Sequence, residues 1–161
     1  VPGLDERYVI RPAADAADVP AARALFLEYA TWLQVDLCFQ GFDEELATLP
    51  GKYAPPDGRL YLACRDSQPV ACVALRRLDA DTGEVKRLYV QPGHRGHGIA
   101  RALAEEAIGA ARAIGYRRLV LDTLERMTAA RALYAALGFR EVPPYYETPL
   151  CGTRFMALEL D

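Results

Sequence analysis

The sequence predicts a mixed α/β fold, an antiparallel meander followed by β-α-β-α-β-β, built as one domain over residues 1–161. Three observations predict it. Residues 59–65, 69–78 and 84–90 are apolar or aromatic runs separated by turns of a few residues, too short for a crossover, so they pair antiparallel. After the third run, helical periodicity and strand-like runs alternate, and the intervening helix implies a parallel step. A chain of 161 residues with 52% hydrophobic and 25% charged residues can bury a core without staples.

The elements follow in order. Residues 8–11 form a short strand ended by Pro12. Asp15 and Asp18 offer N-cap oxygens to a helix whose first turn holds Pro20. Its stripe of Ala22, Leu25, Phe26, Tyr29, Trp32 and Leu33 predicts an amphipathic helix with its aromatics in the core. Residues 42–49 read as a second, shorter helix after Gly41. Gly51, Pro55, Pro56 and Gly58 make a loop before the meander. A long helix opens near Ile99, with Leu103, Ala107, Ala110 and Ile114 on one face and Gly115 as its C-terminal stop. Residues 118–123 are a strand. Thr128 caps a helix that carries Ala130, Leu133, Tyr134 and Leu137 on one face and ends at Gly138. Residues 139–142 and 155–160 are the last two strands. The tetrapeptide Ala-Arg-Ala-Leu recurs at Ala22, Ala100 and Ala130 with no period, which is compositional bias in the helices.

Composition narrows the function. A net charge of −3 and a pI near 5.5 argue against nucleic-acid binding by phosphate neutralisation. No apolar run reaches the length of a membrane span, and the first residues lack a basic-then-apolar leader, so the expected location is the cytoplasm. Cys38, Cys64, Cys72 and Cys151 form no C-x-x-C pair; they are expected as small buried residues, with Cys64 and Cys72 nearly opposite each other on paired strands. His94 and His97 sit in an irregular loop, not on a helix face, so no metal site is expected.

The organising stretch is Glu84 to Leu103, EVKRLYVQPGHRGHGIARAL. Pro92 and Gly93 end a strand, a glycine-rich loop follows, and a helix begins. A helix start has unpaired amides and the positive end of the macrodipole, and glycines admit an anion close to the backbone. A nucleotide P-loop needs lysine and a hydroxyl after the last glycine, where Ile99 and Ala100 stand. A dinucleotide fingerprint needs a glycine where Arg101 stands. A glycine-rich connection without a ligand is the bland alternative.

The segment Arg95-Gly96-His97-Gly98-Ile99-Ala100 resembles the R/Q-x-x-G-x-G/A motif of the GNAT superfamily of acyl-CoA-dependent N-acetyltransferases. The segment Ala132 to Phe139 resembles that family's A-x-x-L-Y-x-x-x-G-F signature, in the right order and at the expected separation. The resemblance implies the GNAT fold and acetyl-CoA as cosubstrate, with no metal. It implies transfer of an acetyl group to a primary amine of a small molecule or peptide by direct attack in a ternary complex, and makes a homodimer plausible. A non-catalytic acyl-CoA-binding or sensing module on the same fold is the alternative.

The resemblance also implies site residues. The amides of Arg95, Gly96, His97, Gly98, Ile99, Ala100 and Arg101 would hold the coenzyme's pyrophosphate. Leu88, Tyr89 and Val90 would pair with its pantetheine arm, an amide of Tyr89 or Val90 donating to the thioester carbonyl. Tyr134 would give a proton to the leaving thiolate; its helical spacing also fits plain core. Glu84 would draw the amine's proton, for which a carboxylate of ordinary pKa needs burial or a relay; it also fits a solvent-facing glutamate paired with Arg87. Many members carry asparagine where Met127 stands here, leaving Arg126 or Thr128 as substitutes. Tyr145, Tyr146 and Glu147 read either as the acceptor's mouth or as edge-strand residues.

Overall fold

The computed structural model describes residues 3–161. Its strands are β1 (Tyr8–Pro12), β2 (Arg59–Arg65), β3 (Gln68–Arg77), β4 (Thr82–Val90), β5 (Arg118–Leu124), β6 (Arg140–Val142) and β7 (Thr153–Glu159). Its helices are α1 (Asp18–Leu33), α2 (Phe42–Thr48), α3 (Ile99–Ile114) and α4 (Thr128–Ala136), with short 3-10 turns at Cys38–Gln40, Gly51–Tyr53 and Pro92–His94. The strands form one seven-stranded sheet in the order β1-β2-β3-β4-β5-β7-β6. All its pairings are antiparallel except β4 with β5. The mixed fold expected from the sequence is the fold observed.

Two apolar clusters flank the sheet. One joins Val73, Leu75 and Val85 to Ile99, Leu103, Ala107 and Ala111 of α3, and takes in Tyr134, Phe139 and Met156. The other joins Leu60, Leu62, Ala74 and Tyr89 to Ala22, Leu25, Phe26 and Leu33 of α1. Alternation of side chains along β2 to β4 feeds both clusters, which is why these strands read as continuous apolar runs.

Two irregularities position the site. The first is a bulge in β4: Tyr89 pairs with Cys72 but Lys86 pairs with Ala74, leaving an extra residue between. Arg87 takes φ +60° there. A bulge breaks the alternation of faces, so Lys86 and Arg87 send side chains to the same neighbour, Gln40. The second is a splay. β4 and β5 pair only at Thr82–Arg118, Gly83–Leu119 and Glu84–Val120. Beyond Glu84 the strands part, and the β5-facing edge of β4 has no strand beside it.

Several local expectations are corrected. Neither Asp15 nor Asp18 caps α1; Asp18 is its first residue, and its carboxylate reaches back to the amides of Ala14 and Asp15. Thr128 begins α4, and no side chain caps that helix. A bulge in the β2–β3 pair places Cys72 opposite Leu62 and Cys64 opposite Pro69, so the two cysteines are not across from each other. Both are buried, but Cys38 and Cys151 are exposed; all four are free. Trp32, expected in the core, is 39% exposed because it lies over the cleft rather than under the sheet.

Candidate active site

The splay opens a cleft of about 320 Å³. Leu88, Tyr89 and Val90 form one wall, Leu133 and Tyr134 of α4 another, and Arg95, Gly96, Ile99 and Ala100 close one end. At that end the chain turns from β4 into α3 through Gly96 at φ +83° and Gly98 at φ +81°. A Cβ on Gly96 would meet nothing within 4 Å, whereas one on Gly98 would lie 2.2 Å from the carbonyl oxygen of Gly3. The Asp5 amide also donates to the carbonyl of His97 at 3.1 Å. The segment at Gly3 to Asp5 thus braces the outside of the loop and leaves its other side to the cleft. Among the described residues, the amides of Gly96 to Arg101 have no hydrogen-bond acceptor. A run of free amides leading into a sixteen-residue helix has a geometry that suits an anion.

The expected side chains separate into two groups here. Arg95 turns into the cleft, stacking its guanidinium 4.7 Å from the Trp32 ring centroid and donating to the carbonyl of Val90 at 3.0 Å. His97 turns away to Asp5 at 3.2 Å, and Arg101 pairs along its own helix with Glu105 at 2.9 Å. His94 shares a hydrogen bond of 2.9 Å with Tyr8 and lines the cleft.

Tyr134 lies on the cleft wall, 7% exposed and edge-on to Phe139 at 5.6 Å. Its hydroxyl has no hydrogen-bond partner among the described residues. Burial, with Tyr29 and Asp122 adding to it, pushes its pKa well above the ordinary tyrosine value. Tyr29 shares the cleft, and burial pushes it up to about 12. Met127 lines the cleft too, receiving the Thr123 hydroxyl on its sulfur at 3.8 Å. Arg126, a substitute the sequence offered, turns toward α1, where its guanidinium donates to the carbonyl of Leu33.

A second cavity, of about 350 Å³, is lined by Glu84 and Lys86 of β4, Arg76 of β3, and Tyr145 and Tyr146. Glu84 is at its floor, 1% exposed. Glu84 Oε1 accepts from Arg76 Nε at 2.7 Å, and Oε2 accepts from the Tyr145 hydroxyl at 2.5 Å. The alternative reading of Glu84 as an exposed partner of Arg87 is therefore corrected: Arg87 is held by both oxygens of Glu45, at 2.8 and 2.9 Å. Tyr146 makes the matching bond to Asp122 on β5. Adjacent tyrosines thus tie the β6–β7 loop to carboxylates on the two diverging strands. Burial, then the charge of Glu84, raises the pKa of Tyr145; burial, then Asp122, raises that of Tyr146.

Lys86 joins the two spaces. Among the described residues it alone lines both cavities. Its ammonium donates to Gln40 Oε1 at 3.1 Å and stands 3.9 Å from both Glu84 and Asp122. Burial lowers its pKa, against the pull of the two carboxylates. Sequence reasoning singled out Glu84 on this strand but missed Arg76, Gln40, Asp122 and Lys86. The signal for Lys86 was its i+2 spacing from Glu84; nothing local pointed to the others. Among the described residues, no group of three or more His, Cys, Asp or Glu side chains is assembled for a metal, and no helix is long and apolar enough to cross a membrane.

Comparison with known proteins gives this geometry its family. The acetyltransferase (GNAT) family model matches residues 23–139. An uncharacterized N-acetyltransferase from Schizosaccharomyces pombe is 38% identical over 146 residues, 89% of this chain and 89% of its own. The fold is shared with an acetyltransferase from Streptococcus agalactiae, with TM-score 0.79, 22% identity and coverage of 97% of this chain and 100% of that one. It is shared as well with a GNAT family acetyltransferase from Elizabethkingia anophelis solved with acetyl-CoA bound, with TM-score 0.69, 24% identity and coverage of 97% and 100%. The chain belongs to the GNAT acetyltransferase family.

Proposed function

We propose that the protein moves the acetyl group of acetyl-CoA onto a primary amine bound in the second cavity, by direct attack within a ternary complex. The observation that carries this reading is the meeting of two separate cavities at one side chain, Lys86. One cavity has the free amides and the unpaired strand edge that suit a phosphorylated, amide-bearing arm. The other has the buried carboxylate.

Acetyl-CoA supplies an activated thioester, and the chain's residues do the rest. The amides of Gly96 to Arg101 hold the pyrophosphate, with Arg95 beside them. Leu88 to Val90 bind the arm in the manner of an added strand, and an amide at Tyr89 or Val90 polarises the thioester carbonyl. Glu84 takes the proton from the acceptor amine through Tyr145: the phenol oxygen receives the amine's proton while its own passes to Glu84 Oε2. The raised pKa of Tyr145 suits this exchange, because the phenol stays neutral while it gives and takes. Tyr134, kept protonated by burial, donates to the departing thiolate. The Glu84 and Tyr134 protons then return to balance through solvent.

Initial-rate kinetics test the order of events. Thiol release measured over a grid of acetyl-CoA and amine concentrations is expected to give intersecting double-reciprocal lines. Parallel lines, with acetyl retained on the protein, mean a covalent route and sink the ternary complex.

A further inference from the structure

The second cavity contains an imbalance between donors and acceptors. Its inner carboxylates are spent: buried Glu84 accepts from Arg76 and Tyr145, and half-buried Glu45 gives both oxygens to Arg87. Its cations are not. Arg76 uses only Nε, and neither Nη1 nor Nη2 has a partner among the described residues. Lys86 makes one hydrogen bond, to Gln40, out of three available. Lys52 lines the rim, exposed and unpaired among the described residues. Glu44, also exposed at the rim, is the cavity's one uncommitted carboxylate.

Unspent charged donors in a partly desolvated space favour an anion, and an arginine fork favours a planar one with two oxygens. The Arg76 fork is fixed beside the proposed proton acceptor, since Nε and Glu84 Oε1 are 2.7 Å apart. An anion on the fork therefore lies close to an amine that delivers its proton toward Glu84. That separation matches a molecule whose amine and carboxylate sit on the same or adjacent carbons. A cavity of about 350 Å³ holds such a molecule whole.

We propose that the acceptor is a free amino acid or a close analogue, its carboxylate taken by Arg76 Nη1 and Nη2 with Lys86 and Lys52 in support. This rests on the acetyl-transfer reading above and adds the acceptor class to it. A peptide N-terminus, whose neighbouring carboxyl is an amide, leaves the Arg76 fork unpaired and is disfavoured.

The test is thiol release from acetyl-CoA with matched sets: free amino acids, their carboxamides and their decarboxylated amines, products being verified by mass spectrometry. At least one free acid is expected to exceed its own carboxamide and amine by about tenfold or more in kcat/KM, because a site built to bind an oxygen pair rejects analogues lacking it. Arg76→Lys keeps a charge beside Glu84 but removes the fork. It is expected to raise KM for the acid about tenfold and bring the acid-to-amide ratio near one. Lys52→Gln, at the exposed rim, keeps the proposal testable if Arg76→Lys misfolds; it is expected to raise KM for the acid and not for its carboxamide, and an unchanged KM for the acid counts against the inference. Equal use of acids and carboxamides, or turnover of amines with no acid accepted, overturns the inference and leaves acetyl transfer standing. No thermal shift with acetyl-CoA, and no thiol release with any amine, overturns both.

Discussion

Lys86 and Arg87 are consecutive residues of one strand, yet both donate to the same oxygen, Gln40 Oε1, at 3.1 and 2.9 Å. In a regular strand their side chains would point to opposite faces. The bulge, with Arg87 at φ +60°, turns both toward the 3-10 turn before α2. It thereby ties the α1–α2 region to the strand that carries the site.

That tie has a measurable energy. Arg87 is 5% exposed, and its charge is met by Glu45 and Gln40. Glu45→Ala leaves the guanidinium buried without its carboxylate and is expected to cost about 3 kcal/mol in urea unfolding. Glu45→Gln, which keeps acceptor capacity, is expected to cost less. Equal stability of Glu45→Ala and wild type contradicts the assignment.

Tyr134→Phe removes one hydroxyl that has no partner among the described residues. The melting temperature is expected to stay within about 2 °C, since no hydrogen bond within the protein is lost. If the phenol serves the departing thiolate, kcat is expected to fall at least about tenfold with KM for acetyl-CoA little changed. An unchanged kcat removes the role.

The pH dependence has a definite sign. Tyr134 must be protonated to donate, and burial raises its pKa above the free tyrosine value of about 10. Its active form therefore persists through that pH. The kcat profile is expected to show no descending limb between about pH 8 and 10 from this group. A fall there that disappears in Tyr134→Phe shows that the phenol ionises earlier than its burial implies.

Gly96 and Gly98 share a left-handed conformation but not their surroundings. Gly96→Ala is expected to cost about 1 kcal/mol, the strain of a side chain at positive φ. Gly98→Ala adds a collision with the Gly3 carbonyl and is expected to cost more, with loss of loop bracing and a higher KM for acetyl-CoA. Thermal melts with and without acetyl-CoA separate the two effects.

Asp18 supplies an acid-sensitive anchor. Hydrogen bonds from Arg11 hold its pKa well below the usual carboxylate range; burial opposes this, and the amides of Asp15 and Ala14 add to the lowering. A lowered folded pKa gives stability that is fully present above the unfolded value of about 4 and drains away as pH falls below it. Asp18→Asn is expected to melt lower than wild type at pH 7, with the gap narrowing toward pH 3. A gap independent of pH assigns the effect to packing instead.

Much of this was legible in the chain. The runs from Arg59 to Val90 declared a meander because their turns are too short for anything else. Gly115 and Gly138 marked where helices stop, and both take positive φ. What stayed hidden depends on contacts distant in sequence. Nothing local says that Tyr145 reaches Glu84, or that Tyr146 reaches Asp122, across a loop without regular structure. The bulge went unread too: Lys86 and Arg87 are two polar residues in succession, a break in strand alternation, but only pairing with Cys72 and Ala74 reveals the extra residue. Trp32 followed the helical stripe yet faces the cleft, because a stripe gives a direction and not what occupies it.

The short ladder between β4 and β5, closed at Glu84–Val120 and open beyond, has one more effect. A bare strand margin on a protein's outside invites another chain to zip onto it. Here the margin is recessed, with Tyr134 and Leu133 standing over it. A slim, flexible guest can slip along it, while a neighbour's full-width β-ribbon is kept out. The fold can thus keep unsaturated backbone on offer to a ligand without making it a seed for self-association.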